Sequence, residues 1–378
     1  MLNQQYNILH HTDSFIEPLL KRTLEANKLG VCCGTIQIES VSSSCDKVKG
    51  DRFKLSIPYA RQTLTWNVFF DSQCPEMGPD FIFNDDTFLM DVNIDTLSTA
   101  VPSLAKWNIH DKDALLNVLM ELLSCYKQHQ IQLLQKQDRL KLEYSMLMGS
   151  SEIAPEDVEV MLLPFGSKPT EAKFLISLSI DVSQLQNSSF ELENDIVMLL
   201  VTFCGPNWNR IIPQLYFSKS LEQILGGTSA LHLPHYPADK CLTDYILEIK
   251  MYIAEKIKPL VQSLEKRRLF VTTVLALQPG SLIEFDATDY RYITLLLERQ
   301  DFSYMLHFRL SSAFPTEKPT VVMQSIYHMT RLRFPYEEKV ENFDYSNQWA
   351  PAEMIEEILL SVNRMVEKFK DNSIEICS

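Results

Sequence analysis

The sequence carries the same order of features near both of its ends, and this repeat limits the fold more than any other property. Near the N-terminus these features are two strands with alternating apolar residues, a Pro-x-x-x-Pro segment, a short strand and a tryptophan, at 53–59, 64–70, 75–79, 80–83 and 107. Near the C-terminus the same order occupies 292–297, 304–310, 315–319, 320–324 and 349. Apolar residues that alternate with polar ones are typical of half-buried antiparallel strands. A repeat of this length predicts tandem copies of one unit.

A thinner copy of the pattern lies in the middle of the chain. Residues 174–180 alternate, 196–203 form an apolar run, and a proline at position 213 precedes the strand-like 213–217. Helical spacing extends without Gly or Pro from about Asp113 to Gly149, which predicts one rod of about 35 residues. We therefore predict an α+β fold of antiparallel meander sheets packed on helices and joined by long helices. Its three domains are 1–149, a degenerate central 150–245, and 246–378.

Charge and composition exclude several classes of function. The formal net charge of −14 argues against nucleic-acid binding, which depends on neutralising phosphates with Lys and Arg. The short basic cluster 266–268 is better explained as a solvated helix face than as a phosphate site. The N-terminus has no signal-peptide pattern, the apolar runs are too short to span a bilayer, and the eight cysteines form no CxxC pair. The sequence thus predicts a soluble, reduced intracellular protein with no membrane partner.

The repeated order resembles the fold of ubiquitin-conjugating enzymes, and the resemblance covers both terminal thirds. Active members carry a cysteine between the fourth strand and the tryptophan, and a His-Pro-Asn whose amide stabilises the oxyanion. Neither copy matches. Residues 84–107 and 325–349 contain no cysteine, and His328 is followed by Met329. The resemblance therefore implies ubiquitin-conjugating-enzyme variant (UEV) domains that keep the fold and lack the nucleophile.

Four longer stretches resemble the BRE family, whose members are scaffolds of the BRISC deubiquitinase and of the nuclear BRCA-associated A complex. These stretches are 51–60, 79–83, 225–232 and 325–330. The resemblance implies three protein partners: a JAMM zinc metalloprotease, an Abraxas-type pseudoenzyme and an adaptor with a von Willebrand A fold. It also implies a cytoplasmic and nuclear protein that acts in the DNA damage response.

The sequence offers few candidates for chemistry, and we expect no catalytic residue, metal or cofactor. His232, His235 and Cys241 could be examined as metal ligands, but the prolines around them favour an extended segment. Cys74 is the cysteine nearest an active loop, and it lies on the wrong side of the short strand. A thioester-forming enzyme with a displaced cysteine remains an alternative, as does a ubiquitin-binding module.

The best partner-binding candidates are the aromatic residues in the loop that replaces the last catalytic loop, namely Phe334, Tyr336 and Tyr345. Aromatic side chains bury a large area at interfaces and suit extended proline-containing peptides. An alternative with equal weight is that these rings pin an irregular loop to the core. If they are anchors in an irregular loop, their replacement should weaken adaptor binding and leave folding nearly unchanged.

Overall fold

The computed structural model describes residues 9, 11–26, 29–32, 34–44, 49–90, 93–181, 197–225, 231–237 and 239–377. It has the α+β architecture predicted from the sequence, with antiparallel sheets and helices. The chain divides into two compact units. Unit 1 comprises Met1–Ile180 and Asp195–Lys250, and unit 2 comprises Asp181–Asn194 and Met251–Ser378. The division into three domains stays a prediction.

The helices of unit 1 are α1 to α6, and α7 begins there and continues into unit 2, which also contains α8. Their bounds, in order, are Glu17–Leu24, Ile94–Ala100, Pro102–Ala105, Ala114–Leu134, Asp138–Gly149, Lys219–Leu225, Leu242–Leu277 and Pro351–Cys377. Pro259 lies inside α7. Among the described residues, no helix is both long enough and apolar enough to cross a membrane.

Unit 1 contains two four-stranded sheets. The first has the order β1-β2-β3-β4, with strands Gln37–Ser42, Arg52–Tyr59, Gln62–Phe69 and Asp80–Phe83. The second has the order β5-β6-β7-β8, with strands Val158–Leu163, Glu171–Leu178, Val197–Cys204 and Arg210–Phe217. Both sheets contribute to one hydrophobic core, in which Trp66 is fully buried beside the rings of Phe83 and Phe88.

Unit 2 contains one five-stranded sheet of order β13-β12-β11-β10-β9. Its strands in chain order are Leu282–Phe285, Tyr292–Arg299, Phe302–Arg309, Thr320–Met329 and Pro335–Val340. Alternate residues of β11 are buried, because one face of the sheet packs on α8 and on the end of α7. This is the burial pattern that the alternating sequence predicted.

The sequence repeat is visible in the register of the strands. Strands β2, β3 and β4 begin at 52, 62 and 80, and β10, β11 and β12 begin at 292, 302 and 320, which is 240 residues further on in each case. Both hairpins turn through two residues with positive φ, Ala60–Arg61 and Gln300–Asp301. Two such residues match the twist of the flanking strands, although Gly or Asn is the usual choice. The same unit therefore occurs at both ends without insertion or deletion through three strands.

One predicted element is wrong: the long rod after residue 113 is two helices, α4 and α5. A continuous helix would carry the buried stripe of α4 from Leu134 onto Asp138 and Lys141, which are charged and exposed. Leu140 and Leu147 are fully buried instead, although Leu140 would point about 120° away from Leu134 in a straight helix. A turn at 135–137 changes the phase of the helix and so buries the leucines.

Candidate partner-binding surface

The loop after β4 is held in place by a buried carboxylate, that of Asp85. Asp85 is buried, and its Oδ1 accepts hydrogen bonds from the backbone N–H and the hydroxyl of Thr87 at 3.1 and 2.6 Å. Its Oδ2 accepts from the hydroxyl of Tyr126 and from Nε2 of Gln130, both at 3.3 Å. Burial, followed by the charge of Asp85, raises the pKa of the Tyr126 phenol, so this hydroxyl stays a donor.

Gln130 extends this network to the second sheet of unit 1. Its Oε1 accepts a hydrogen bond from the backbone N–H of Leu162 at 2.9 Å, and its Nε2 is also 3.0 Å from the hydroxyl oxygen of Tyr126. Gln130 itself is fully buried. The loop is therefore held to α4 and β5 by satisfied buried hydrogen bonds, and none of the four side chains in this network is a cysteine.

The corresponding loop of unit 2 is not the irregular segment that the sequence suggested. Pro335–Val340 forms strand β13, which pairs with β12 through Val321, Val322, Met323 and Gln324. Glu337 and Lys339 point away from the core along this strand, whereas Tyr336 and Val340 point into it. The alternation over six residues was too short and too interrupted by charge to be recognised.

Two of the three aromatic candidates lie in the core of unit 2. Tyr336 is 9% exposed and packs on Phe369, with ring centroids 5.3 Å apart. Tyr345 packs against the same core and donates a hydrogen bond to the carbonyl of Pro315 at 2.6 Å. Burial raises the pKa of Tyr345 to about 12. The expectation that replacing both tyrosines would leave folding nearly unchanged is therefore wrong, because both rings hold the segment to the core.

The third candidate, Phe334, is accessible. Its side chain is 67% exposed, and Leu332 in the same turn is 79% exposed. Among the described residues Leu332 is the most exposed large hydrophobic side chain, and sequence reasoning had missed it. The sequence carries no clear signal for it, because a leucine between Arg331 and Arg333 fits a half-buried strand as well as an exposed turn.

The cysteines that the structure describes lie outside both loops. Cys125 is on α4, and burial raises the pKa of its thiol. Burial also raises the pKa of Cys204 at the end of β7. A raised thiol pKa lowers the fraction of thiolate, the nucleophilic form. Cys74 lies in the turn before β4 and is partly exposed.

The structure does not assemble a metal site among the described residues, where no group of three or more His, Cys, Asp or Glu side chains converges. His232 and His235 lie in 231–237, a segment that is neither helix nor strand. The thiol of Cys241 lies 3.2 Å from Oδ2 of Asp244, one helical turn ahead on α7.

A second buried carboxylate was also missed by sequence reasoning. Glu159 on β5 is 3% exposed, and it accepts backbone hydrogen bonds from Val31 at 2.7 Å, from Cys32 at 3.3 Å and from Ala60 at 2.8 Å. It thereby ties the second sheet of unit 1 to the β2–β3 turn of the first. A glutamate in an apolar strand was the available signal, because buried charges are rare unless they are paired or hydrogen-bonded.

The fold and these loops define a class of protein: an α+β chain of repeated antiparallel meander sheets, with a buried hydrogen-bond network after β4 and packed aromatic rings in and after β13. The chain belongs to the family described as brain and reproductive organ-expressed protein (BRE), whose model matches residues 10–329.

Two relatives match nearly the whole chain. A protein of Branchiostoma floridae named "BRISC and BRCA1-A complex member 2" is 32% identical over 380 residues, covering 97% of both chains. A protein of Danio rerio with the same name is 31% identical over 371 residues, covering 95% of this chain and 94% of the relative.

Proposed function

We propose that this protein is a non-catalytic scaffold subunit of a BRISC-type deubiquitinase assembly. In this role it bridges a JAMM metalloprotease and its Abraxas-type companion to an adaptor with a von Willebrand A fold. The observation that carries the proposal is full-length similarity to two proteins named as members of such complexes. Their similarity extends over both units of the chain, so the whole architecture is retained and not a single module.

What occupies the two loops, after β4 and after β12, supports a role in assembly. The first is closed by the Asp85 network, and the second has become strand β13. Residues 84–107 and 325–349 contain no cysteine that could form a thioester. We propose that the meanders are UEV-like domains whose surfaces, freed from chemistry, bind other subunits in the cytoplasm and the nucleus.

The test of the proposal is a native pull-down of the tagged full-length chain followed by mass spectrometry. We expect a JAMM metalloprotease, an Abraxas-type protein and a von Willebrand A-fold adaptor to be recovered in constant ratios. The matched control is the same chain carrying Trp66→Ala, which removes a fully buried side chain from the core of unit 1. Recovery of none of the three subunits with the folded chain would refute the proposal.

A thioester assay tests the proposal that the protein is not catalytic. Incubation with activating enzyme, ATP and ubiquitin should give no thiol-sensitive adduct on a non-reducing gel. An adduct that disappears in Cys74→Ala would identify an enzyme with a displaced cysteine instead. If the adduct survives Cys74→Ala, changing each of the other cysteines to alanine would identify the one that carries it.

A further inference from the structure

The turn between β12 and β13 displays apolar side chains to solvent. Leu332 and Phe334 are 79% and 67% exposed, and Ile326 and Tyr327 on the adjoining part of β12 are 46% and 56% exposed. Side chains of this size are scattered singly on most surfaces, whereas two in one short turn, with two more on the strand that leads into it, favour a site of interaction.

Backbone hydrogen bonds fix the turn that carries these side chains. The N–H of Thr330 donates to the carbonyl of Phe334 at 2.7 Å, and the N–H of Arg333 donates to the carbonyl of Thr330 at 2.8 Å. The hydroxyl of Thr330 adds a third bond to the carbonyl of Phe334 at 3.1 Å. Because the turn is ordered before any partner arrives, binding there costs little conformational entropy.

The turn is also a positively charged patch on a chain that is acidic as a whole. Arg331 and Arg333 alternate with Leu332 and Phe334, and residues 318–336 contain no Asp or Glu, although the whole chain has a net charge of −14. All four of these side chains are exposed. Within the part of the chain that the structure describes, neither guanidinium forms an ion pair.

We infer that the turn 330–334 docks an acidic, apolar segment of a partner protein. The apolar side chains of that segment cover Leu332 and Phe334, and its carboxylates pair with Arg331 and Arg333 in the bidentate geometry that guanidinium groups favour. This inference rests on the proposed function, because it assigns one docking surface of the proposed scaffold and the chemistry of the subunit that occupies it.

An anionic membrane is the rival occupant, and the charges argue against it. Two basic residues contribute about 2 kcal/mol at an anionic surface. A membrane also faces a broad area of the molecule and is repelled by the net charge of −14. A short segment experiences mainly the local charge, because salt screens interactions beyond about 8 Å.

The test uses the full-length chain in the purified assembly, with a photo-crosslinking amino acid at position 332. We expect a cross-link to a peptide of another subunit that contains at least two acidic residues beside apolar ones. The control carries the same amino acid at position 360, where Leu360 is 49% exposed on α8 of the same unit. It should not label that peptide.

The charge contribution is tested by reversal. Arg331→Glu with Arg333→Glu should lower the cross-linking yield about tenfold, which corresponds to about 1.4 kcal/mol. The matched control, Arg364→Glu with Lys368→Glu, changes two exposed cations of α8 and should leave the yield unchanged. Replacing the acidic residues of the cross-linked peptide by lysines should restore the yield of the reversed variant.

The outcomes separate the inference from the proposed function. Failure of the chain to co-purify with the other subunits overturns both. Normal co-purification overturns the inference alone if position 332 labels lipid, a second copy of this chain or a basic peptide, or labels nothing. The same holds if charge reversal leaves the yield unchanged.

Discussion

At the scale of the residue, Glu159 shows how one buried carboxylate holds two segments of the chain together. Its carboxylate accepts three backbone hydrogen bonds from two separate segments of unit 1. Burial raises its pKa, and the hydrogen bonds from Ala60, Val31 and Cys32 oppose that shift. A β-carbon on Gly30 would collide with Oε1 of this carboxylate, so the glycine leaves room for it.

We predict that Glu159→Leu destabilises unit 1 by about 3 kcal/mol or more, because each buried N–H left without an acceptor costs about 1–3 kcal/mol. Chemical denaturation followed by tryptophan fluorescence measures the change, since Trp66 reports on this core. Glu156→Leu is the control, three residues earlier and exposed, and should change stability by no more than about 0.5 kcal/mol. Equal effects of the two substitutions would contradict the role given to Glu159.

The hydroxyl groups of Tyr336 and Tyr345 lead to a second prediction. Tyr345→Phe removes the hydroxyl that bonds to the carbonyl of Pro315, and should destabilise unit 2 by about 1–2 kcal/mol. Tyr336→Phe is its natural control, because that hydroxyl bonds to the partly exposed Glu338, at 3.2 Å, and to Asn372. Its loss should cost less than about 0.5 kcal/mol, since a bond to a partly exposed group can be replaced by water. Thermal unfolding of the two variants compares them directly, and a larger loss for Tyr336→Phe would reverse the assignment.

At the scale of the element, the break between α4 and α5 can be tested with proline. Gln137 has φ −115° and ψ 105°, an extended conformation that suits a residue before proline. Asp138 is the first residue of α5, where a helix tolerates proline.

We therefore predict that Asp138→Pro costs at most about 1 kcal/mol, mainly from the lost charge at the helix N-terminus. Met146→Pro, in the interior of α5 at an exposed position, should cost about 3 kcal/mol or more. Circular dichroism during thermal unfolding distinguishes them. A large loss from Asp138→Pro would mean that the two helices are continuous in solution.

The comparison of these elements explains what sequence could predict. The meanders were predictable because every second residue of β2, β3 and β11 faces a core. The sequence shows the same period of two, with apolar residues at alternate positions. The helix break was not, since the turn at 135–137 contains neither Gly nor Pro and its cause is the burial of Leu140 and Leu147. For the candidate site, the sequence was enough to single out Phe334, Tyr336 and Tyr345 as aromatic residues close together in the chain. Only tertiary packing separated the buried Tyr336 from the exposed Phe334.

At the scale of the whole molecule, the two units have separate cores. Trp66 belongs to the core of unit 1, and Trp107 packs against that same core, whereas Trp349 packs against the core of unit 2. This is the distribution of tryptophans that the repeated sequence pattern predicts. Substitutions in separate cores should have additive and local effects.

We predict that Phe308→Ala, at a fully buried position of β11, destabilises unit 2 by about 3–5 kcal/mol and leaves unit 1 folded. Trp66→Ala should do the reverse. Hydrogen exchange measured by mass spectrometry on peptides from β2 and β3 and from β10 and β11 gives both readouts in one experiment. Faster exchange in both units from either substitution would show that the chain unfolds as one cooperative body.

Strand β13 also constrains the evolutionary future of this chain. Its residues form four consecutive pairs with β12, and Tyr336 and Val340 complete the core beneath them. A descendant could acquire a cysteine here by one substitution, but that cysteine would lie in a strand paired with β12. Opening the strand into a loop would break these pairs and uncover the core, so the intermediates would be less stable. Selection can therefore vary what the exposed β12–β13 turn presents more readily than it can change the strand.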